Sequence, residues 1–347
     1  MKIKRVCASL IMAVLMFCFT TAVFAKEPAN SSLFSVMPAV SFSWFPKVSF
    51  TEENTITTAD IENYGMSFVM GLKFFDKYGA SLNLTIDDPK FQKMVDFAGT
   101  ITAHDLILKF DIHTFGGNVI WDPDLTESYR PNPIPGGYDF KTQFNSVSLM
   151  YRWDQLLGVN LGLLGAAGIS YSSISIPVEY QVLGEYKVNL QDIRIPGFGN
   201  VKANLWGFSM YFDSLTPVME MSKAERKYSL LRMEYLDLDW WIYTDFVLGM
   251  IGKANYDEES LKWMATQNDV ESISDKFSSP AAGNPLFMRY TQVIGIKKVW
   301  DVGQNARIGL AIGGEGLLEW FSGFTDDFAI NYDAFSIGPT IRFTAKF

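Results

Sequence analysis

Apolar and polar residues alternate one for one along much of this chain, and the alternating stretches are bounded by turn chemistry. From Phe335 to Phe347, Phe335, Ile337, Pro339, Ile341, Phe343, Ala345 and Phe347 share one parity, and Ser336, Gly338, Thr340, Arg342, Thr344 and Lys346 share the other. Successive side chains of a strand point to opposite faces, so this segment predicts a strand apolar on one side and polar on the other. Tyr78 to Asp87 repeats the pattern, with Tyr78, Ala80, Leu82, Leu84 and Ile86 opposite Gly79, Ser81, Asn83, Thr85 and Asp87. Just before it, Tyr64, Met66, Phe68, Met70, Leu72 and Phe74 alternate with Gly65, Ser67, Val69, Gly71 and Lys73. Only Phe75-Asp76-Lys77 separates the two, which predicts a hairpin with a short turn.

The same reading predicts strands over 36–45, 104–115, 118–121 (paired around Gly116-Gly117), 142–153, 157–171 (after a tight Asp154-Gln155 turn), 201–212, 240–252, 284–299, 305–321 and 333–347. The count is about twelve, within a range of ten to fourteen, and an even count returns both termini to one side. Segments 46–63, 89–103, 122–141, 172–200, 253–283 and 322–332 then become long loops on one side, and the tight turns lie on the other. The exception is 213–239, a long connection on the short-turn side; a hairpin hidden there would make fourteen strands. Ser172 to Ile195 goes on alternating around Leu183-Gly184-Glu185 before Pro196-Gly197-Phe198-Gly199 breaks it. Asp257 to Phe277 has a helical spacing of Leu261, Met264, Val270, Ile273 and Phe277 behind an acidic start, which predicts a surface helix or a lid over the barrel mouth.

The amino terminus adds a compartment. Lys2, Lys4 and Arg5 precede an apolar stretch from Leu10 to Phe19, and Val23-Phe24-Ala25 is a small-residue cleavage site. This three-part pattern is that of a secretory signal peptide, residues 1–25, leaving 26–347 as the mature chain. Both cysteines, Cys7 and Cys18, lie inside that segment, so the mature chain has no disulfide and no thiolate ligand or nucleophile. Removing its three basic residues from the 29 of the whole chain leaves 26 against 38 acids, a net of −12, which argues against nucleic acid as a partner. After the signal no run approaches the ~18 to 20 apolar residues that a spanning helix needs.

A carboxyl-terminal strand ending on Phe347 resembles the closing strand of bacterial outer-membrane β-barrels. The resemblance implies an all-β fold, an antiparallel transmembrane up-and-down barrel with small helical elements in its loops, in the cell outer membrane. It implies that Phe343 and Phe347 belong to an insertion signal read by the barrel-insertion machinery, and that outer-membrane lipid is a partner. Aromatic residues near predicted strand ends fit such a barrel: Trp44 and Phe45, Phe74 and Tyr78, Tyr151 and Trp153, Trp240 and Trp241, Trp300, Trp320 and Phe347 would form two interfacial girdles.

The opposite strand faces predict the lumen. They carry Lys73, Lys109, Arg152, Arg289, Lys297, Arg307, Arg342 and Lys346 against Asp105, Asp111 and Glu315. A basic lumen favours anionic solutes by the logic of charged rings in selective pores. The bland alternative is that these charges pair across strands and fill a narrow interior. Catalysis has little to draw on. There are two histidines; His104 takes the lipid-side parity, and His113 shares the lumen face with Asp105 and Asp111 without a motif around it. No Walker, Rossmann, EF-hand or zinc pattern appears, so no cofactor is expected; Asp122-Pro123-Asp124 and Asp326-Asp327 read as solvated turns rather than calcium sites. Barrels that import long-chain fatty acids and other hydrophobic compounds also carry Met-rich segments, but they begin with a plug domain, and only Lys26 to Ser35 precede the first strand here. The expected function is a pore for small solutes. The competing classes are a surface adhesin or anchor and a transporter of hydrophobic compounds.

Overall fold

The computed structural model describes residues 34–45, 47–52, 63–74, 78–87, 92–119, 138–154, 162–179, 198–256, 283–303, 306–324 and 329–347. The signal segment, Asp257 to Phe277, the 183–185 and 196–197 turn residues and both acidic pairs considered for calcium lie outside them. The strands are β1 (Phe34–Phe45), β2 (Lys47–Glu52), β3 (Asn63–Phe74), β4 (Tyr78–Asp87), β5 (Gln92–Ala103), β6 (Leu106–Val119) and β7 (Tyr138–Arg152). They continue as β8 (Leu164–Glu179), β9 (Phe198–Asp213), the two-residue β10 (Arg232–Met233), β11 (Leu238–Tyr256), β12 (Gly283–Asp301), β13 (Arg307–Phe324) and β14 (Ala329–Lys346).

Every long strand pairs antiparallel with its neighbours in the chain, and β14 returns to the start. Its lower half pairs with β1, Thr344 opposite Ala39, and its upper half with β2, Tyr332 opposite Glu52. Thus β1 and β2 share one place in the wall, and the sheet is a closed barrel of twelve strands. Closure reaches the last residue: Val36 N donates to Phe347 O at 3.2 Å and Phe347 N to Val36 O at 3.0 Å. Full closure satisfies every edge, which a wall facing hydrocarbon requires.

The faces are inverted relative to a soluble core. On β14, Ile337 is 57% exposed while its neighbour Ser336 is 5% exposed. On β6, Leu106, Leu108 and Ile112 face out, whereas Lys109, Asp111 and His113 are buried inside. Apolar residues outside and polar residues inside are the signature of a barrel solvated by lipid. Tyr78, Tyr151, Trp240 and Trp300 are exposed near the turn end of their strands, and Trp44 near the other end of β1. Trp241 departs from the predicted girdle. It is 2% exposed and faces inward, because adjacent residues of a strand cannot both face lipid.

Twelve strands form, but not the twelve expected. The segment 89–103, read as a loop, contains β5, and Gly116-Gly117 is no turn: β6 runs straight through, pairing Gly116 with Lys93 and Lys141. The missing alternation in β5 has a cause at Gly99. A Cβ there would sit 2.3 Å from Cζ of Phe110, whose ring fills the outward position that an apolar side chain of β5 would have marked. The connection after β7 is also longer than a tight turn, since β8 begins only at Leu164. At the long-loop end strands run further than predicted: β8 and β9 stay paired out to Glu179 and Phe198, inside the segment read as a loop.

The 213–239 connection folds as α1 (Leu215–Glu220), α2 (Lys223–Arg226), β10 and a single 3-10 turn at Glu234–Leu236. It adds no hairpin to the wall. Asp213 starts α1 by accepting from Leu215 N at 2.8 Å and Thr216 N at 3.3 Å. Leu215, Val218, Met219 and Met221 are buried, and Leu215 and Met219 pack against the inward faces of Trp241, Val293 and Ala311. Gly309 leaves room for this: a Cβ there would meet Sδ of Met219 at 2.7 Å. The short helix therefore closes the turn end of the barrel from within.

Candidate functional site in the barrel lumen

Inward positions recur every second residue, so each strand presents a column of side chains along the lumen. On β6 that column is Ile107, Lys109, Asp111 and His113, counted from the turn end. Lys109 pairs with Asp245 of β11 and lies 3.7 Å from Asp111. Asp111 accepts from Arg289 of β12 at 2.7 Å. Arg289 also lies 3.3 Å from Glu319 of β13, which is 3.6 Å from His113. Its guanidinium sits 5.0 Å over the ring of Phe144, itself stacked on Phe287 at 5.1 Å.

These contacts cross the barrel. In the order of the wall, β6 and β13 lie on opposite sides. Six strand steps at ~4.8 Å make the path between them roughly 29 Å along the wall, yet their side chains meet. The five charged groups with His113 therefore form a bridge spanning the lumen. Lys109, Asp111, Arg289 and Glu319 are all buried. Charges removed from water need this mutual compensation, since each alone would cost several kcal/mol.

Between the bridge and α1 lies a chamber of about 500 Å³. Its lining includes the cations Lys73, Lys109, Arg152 and Arg342, the carboxylates Asp154, Asp213 and Glu220, and Tyr211 and Tyr243. Lys73 pairs with Glu220 of α1 at 2.7 Å, and Arg152 with Asp154 at 2.7 Å. Arg342 donates to Ser41 Oγ at 2.7 Å. Tyr211 and Tyr243 meet edge to face, ring centroids 5.7 Å apart.

The remaining predicted lumen residues hold other positions. Lys297 is buried and donates to the carbonyl of Ser214, at the entry to α1. Arg307 donates to the Met219 and Glu220 carbonyls at 2.8 and 3.0 Å and lies 3.2 Å from Asp301, which also pairs with Arg226. Both cations hold the insert rather than line the chamber. Glu315 accepts from Ser43 at 2.6 Å. Asp105 sits in the turn before β6, where its carbonyl accepts from Arg152 N at 2.7 Å, away from His113. His104, also in that turn and at φ 55°, lies on the exposed side, 3.1 Å from the Tyr78 hydroxyl.

The interior differs from the predicted one in its acids. Asp245 and Glu319 follow the same parity as their basic neighbours and were legible by that rule. Asp213 and Asp239 keep the inward parity at the end of β9 and the start of β11, just beyond the predicted strands, whereas Glu220 belongs to the insert and Asp154 follows β7. With these included, the described lumen is mixed in charge rather than uniformly basic.

At the outer surface of the insert, Ser222 and Glu225 form a reciprocal cap on α2: Ser222 N donates to Glu225 Oε2 at 2.6 Å and Glu225 N to Ser222 Oγ at 3.3 Å. Hydrogen bonding from Ser222 holds the Glu225 carboxyl below the ordinary carboxylate range. Asp237, at φ 53°, is held down in the same way by Lys298 and Arg232.

Neither a family model nor a curated protein sequence matches the chain. Among solved structures it is similar to the β domain of the Bordetella autotransporter BrkA, at 7% identity and a TM-score of 0.31, over 91% of this chain and 99% of that one. It is similar to an outer-membrane channel from Pseudomonas putida F1, at 7% identity and a TM-score of 0.32, over 93% and 98%. It is also similar to the outer-membrane protease OmpT from Escherichia coli, at 6% identity and a TM-score of 0.29, over 93% and 100%. The class follows from the molecule's own geometry: a closed twelve-stranded wall, apolar outside and polar within, makes this chain an outer-membrane β-barrel protein.

Proposed function

We propose that the barrel is a channel for the passive or facilitated passage of small solutes, favouring anions, with a path that is closed at rest. The observation that carries this reading is the chamber. A barrel that serves only as an anchor gains nothing from a hollow of about 500 Å³ whose lining includes four cations and the tyrosines Tyr211 and Tyr243. The chamber is bounded by elements that can part without breaking the wall. α1 is tied to the strands by ion pairs and carbonyl contacts, and the bridge consists of side chains alone. The anion preference rests on Lys73, Lys109, Arg152 and Arg342 against the carboxylates of Asp154, Asp213 and Glu220. Export to the outer membrane by a signal peptide and recognition of Phe343 and Phe347 by the insertion machinery complete the reading. Phe343 is exposed on the lipid side of the last strand.

A second reading, a sealed surface anchor whose loops meet partners, draws on the Asp111–Arg289 contact across the lumen. Planar-bilayer recordings separate the two. The channel reading expects brief openings in wild type that become frequent in Glu220→Ala, which frees α1 from Lys73, with reversal potentials favouring chloride over potassium. A barrel silent in both forms supports the anchor, and cation selectivity removes the anion preference.

A further inference from the structure

We propose that the chamber is a binding site for a small organic monocarboxylate, held through its carboxylate on Arg342 with the hydroxyls of Tyr211 and Tyr243 as further donors. It deepens the channel reading, on which it rests for treating the chamber as a solute compartment. Three of the four lining cations have carboxylates of their own: Lys73 has Glu220, Arg152 has Asp154, and Lys109 has Asp245. Both oxygens of the lining Asp213 accept backbone N–H groups of α1. Arg342 differs. Among the described residues no carboxylate lies within ion-pair distance of it, and its hydrogen bond goes from Nε to a neutral hydroxyl, that of Ser41. Its terminal nitrogens remain for a planar, two-oxygen acceptor, the group a guanidinium fork matches.

The tyrosines point to the same chemistry. Both line the chamber, from β9 and β11, four and three strands round the wall from β14, within electrostatic range of Arg342 and of the Asp213 and Asp245 carboxylates, which are taken up by α1 N–H groups and by Lys109. Neither hydroxyl has a hydrogen-bond partner among the described residues. A phenol is a donor that a carboxylate accepts from, and two of them with one guanidinium make a site for a single negative charge. Among the serines, threonines and Asn83 of the remaining lining stand the apolar side chains of Met37, Ile107, Leu164 and Leu215, which receive a short hydrocarbon body. The volume falls in the ~300–1,000 Å³ range of small-molecule pockets.

The test uses the full mature chain in lipid nanodiscs, titrated calorimetrically with hexanoate, its neutral isostere hexanamide, and hexylammonium. Hexanoate is expected to bind about tenfold or more tighter than hexanamide, and Arg342→Gln to erase that difference, as removal of a charge-assisted pair should. Arg342→Lys is expected to keep part of it. Equal binding of hexanoate and hexanamide, indifference to Arg342→Gln, or a preference for hexylammonium would overturn the site. Should Arg342→Gln not fold, Tyr243→Phe supplies the second arm, with an expected loss of roughly three- to tenfold for hexanoate alone; an unchanged affinity counts against the proposal. Failure of the channel reading looks different: silent bilayers with charge-dependent hexanoate binding intact.

Discussion

The bridge and the chamber are built from the same kind of residue on the same inward face of the wall, yet they put charge to opposite uses. In the bridge, Arg289 meets Asp111 and Glu319 from opposite walls, and Lys109 meets Asp245. In the chamber, a few residues toward the turn end, Arg342 faces open volume, and among the described residues its hydrogen-bond acceptor is Ser41. The difference lies in what stands within reach of each cation. A cation that meets carboxylates closes the barrel and stabilises it, whereas one with no carboxylate within ion-pair distance among the described residues keeps its binding capacity for a solute.

The largest expected effect comes from breaking the bridge. Arg289→Ala leaves Glu319 buried without its arginine and Asp111 with only the more distant Lys109, and loses about 3–5 kcal/mol of stability in urea unfolding from lipid vesicles. Adding Asp111→Asn and Glu319→Gln to that variant recovers a good part of the loss, since neutral amides no longer need the cation. Next comes the floor of the chamber. Trp241→Ala removes the indole against which Leu215 and Met219 pack, costs about 3 kcal/mol, and exposes the insert to protease. Arg342→Ala supplies the contrast: it forfeits one hydrogen bond, costs about 1 kcal/mol in the same unfolding assay, and leaves the insert protected. A loss as large as that of Arg289→Ala would erase the distinction between the two layers.

The smallest effect lies outside the membrane-spanning wall. Ser222→Ala removes the reciprocal cap of α2 and costs about 1 kcal/mol locally, read as faster amide exchange at residues 223–227. The Glu225 carboxyl in that cap is depressed below its ordinary value of 4.5. Its contribution is therefore complete above pH 4.5 and is lost as pH falls through the lower folded value. Exchange at these amides should accelerate in acid in wild type and change little in Ser222→Ala, while the bridge amides stay protected.

Much of the fold was legible because its rule is local. Lipid outside and water inside impose a period of two on each strand, and Tyr78–Asp87 or Phe335–Phe347 shows it without reference to any other part of the chain. The rule failed where a residue's surroundings replaced its side chain. Gly99 reads as a break in the alternation, but the Phe110 ring from the next strand covers it. The pair at Gly116-Gly117 reads as a turn, but partners on both sides hold it extended. Those two errors offset each other in the strand count. They do not offset in the map, since the alternation predicts a loop where β5 stands.

The candidate site divides in the same way. Parity placed Lys73, Lys109, Arg152, Arg289 and Arg342 on the inner face, and it could have placed Asp245 and Glu319 there too. It could not show that Lys73 meets a helix 147 residues away, or that Trp241 faces that helix rather than lipid. By itself the sequence determined the alternation, the faces and the closing strand, because these depend only on backbone geometry and the solvent on each side. Closure of the barrel decided which charges meet, where α1 lodges and where a chamber remains. Those outcomes depend on which strands stand opposite one another, and that order exists only once Phe347 has paired with Val36.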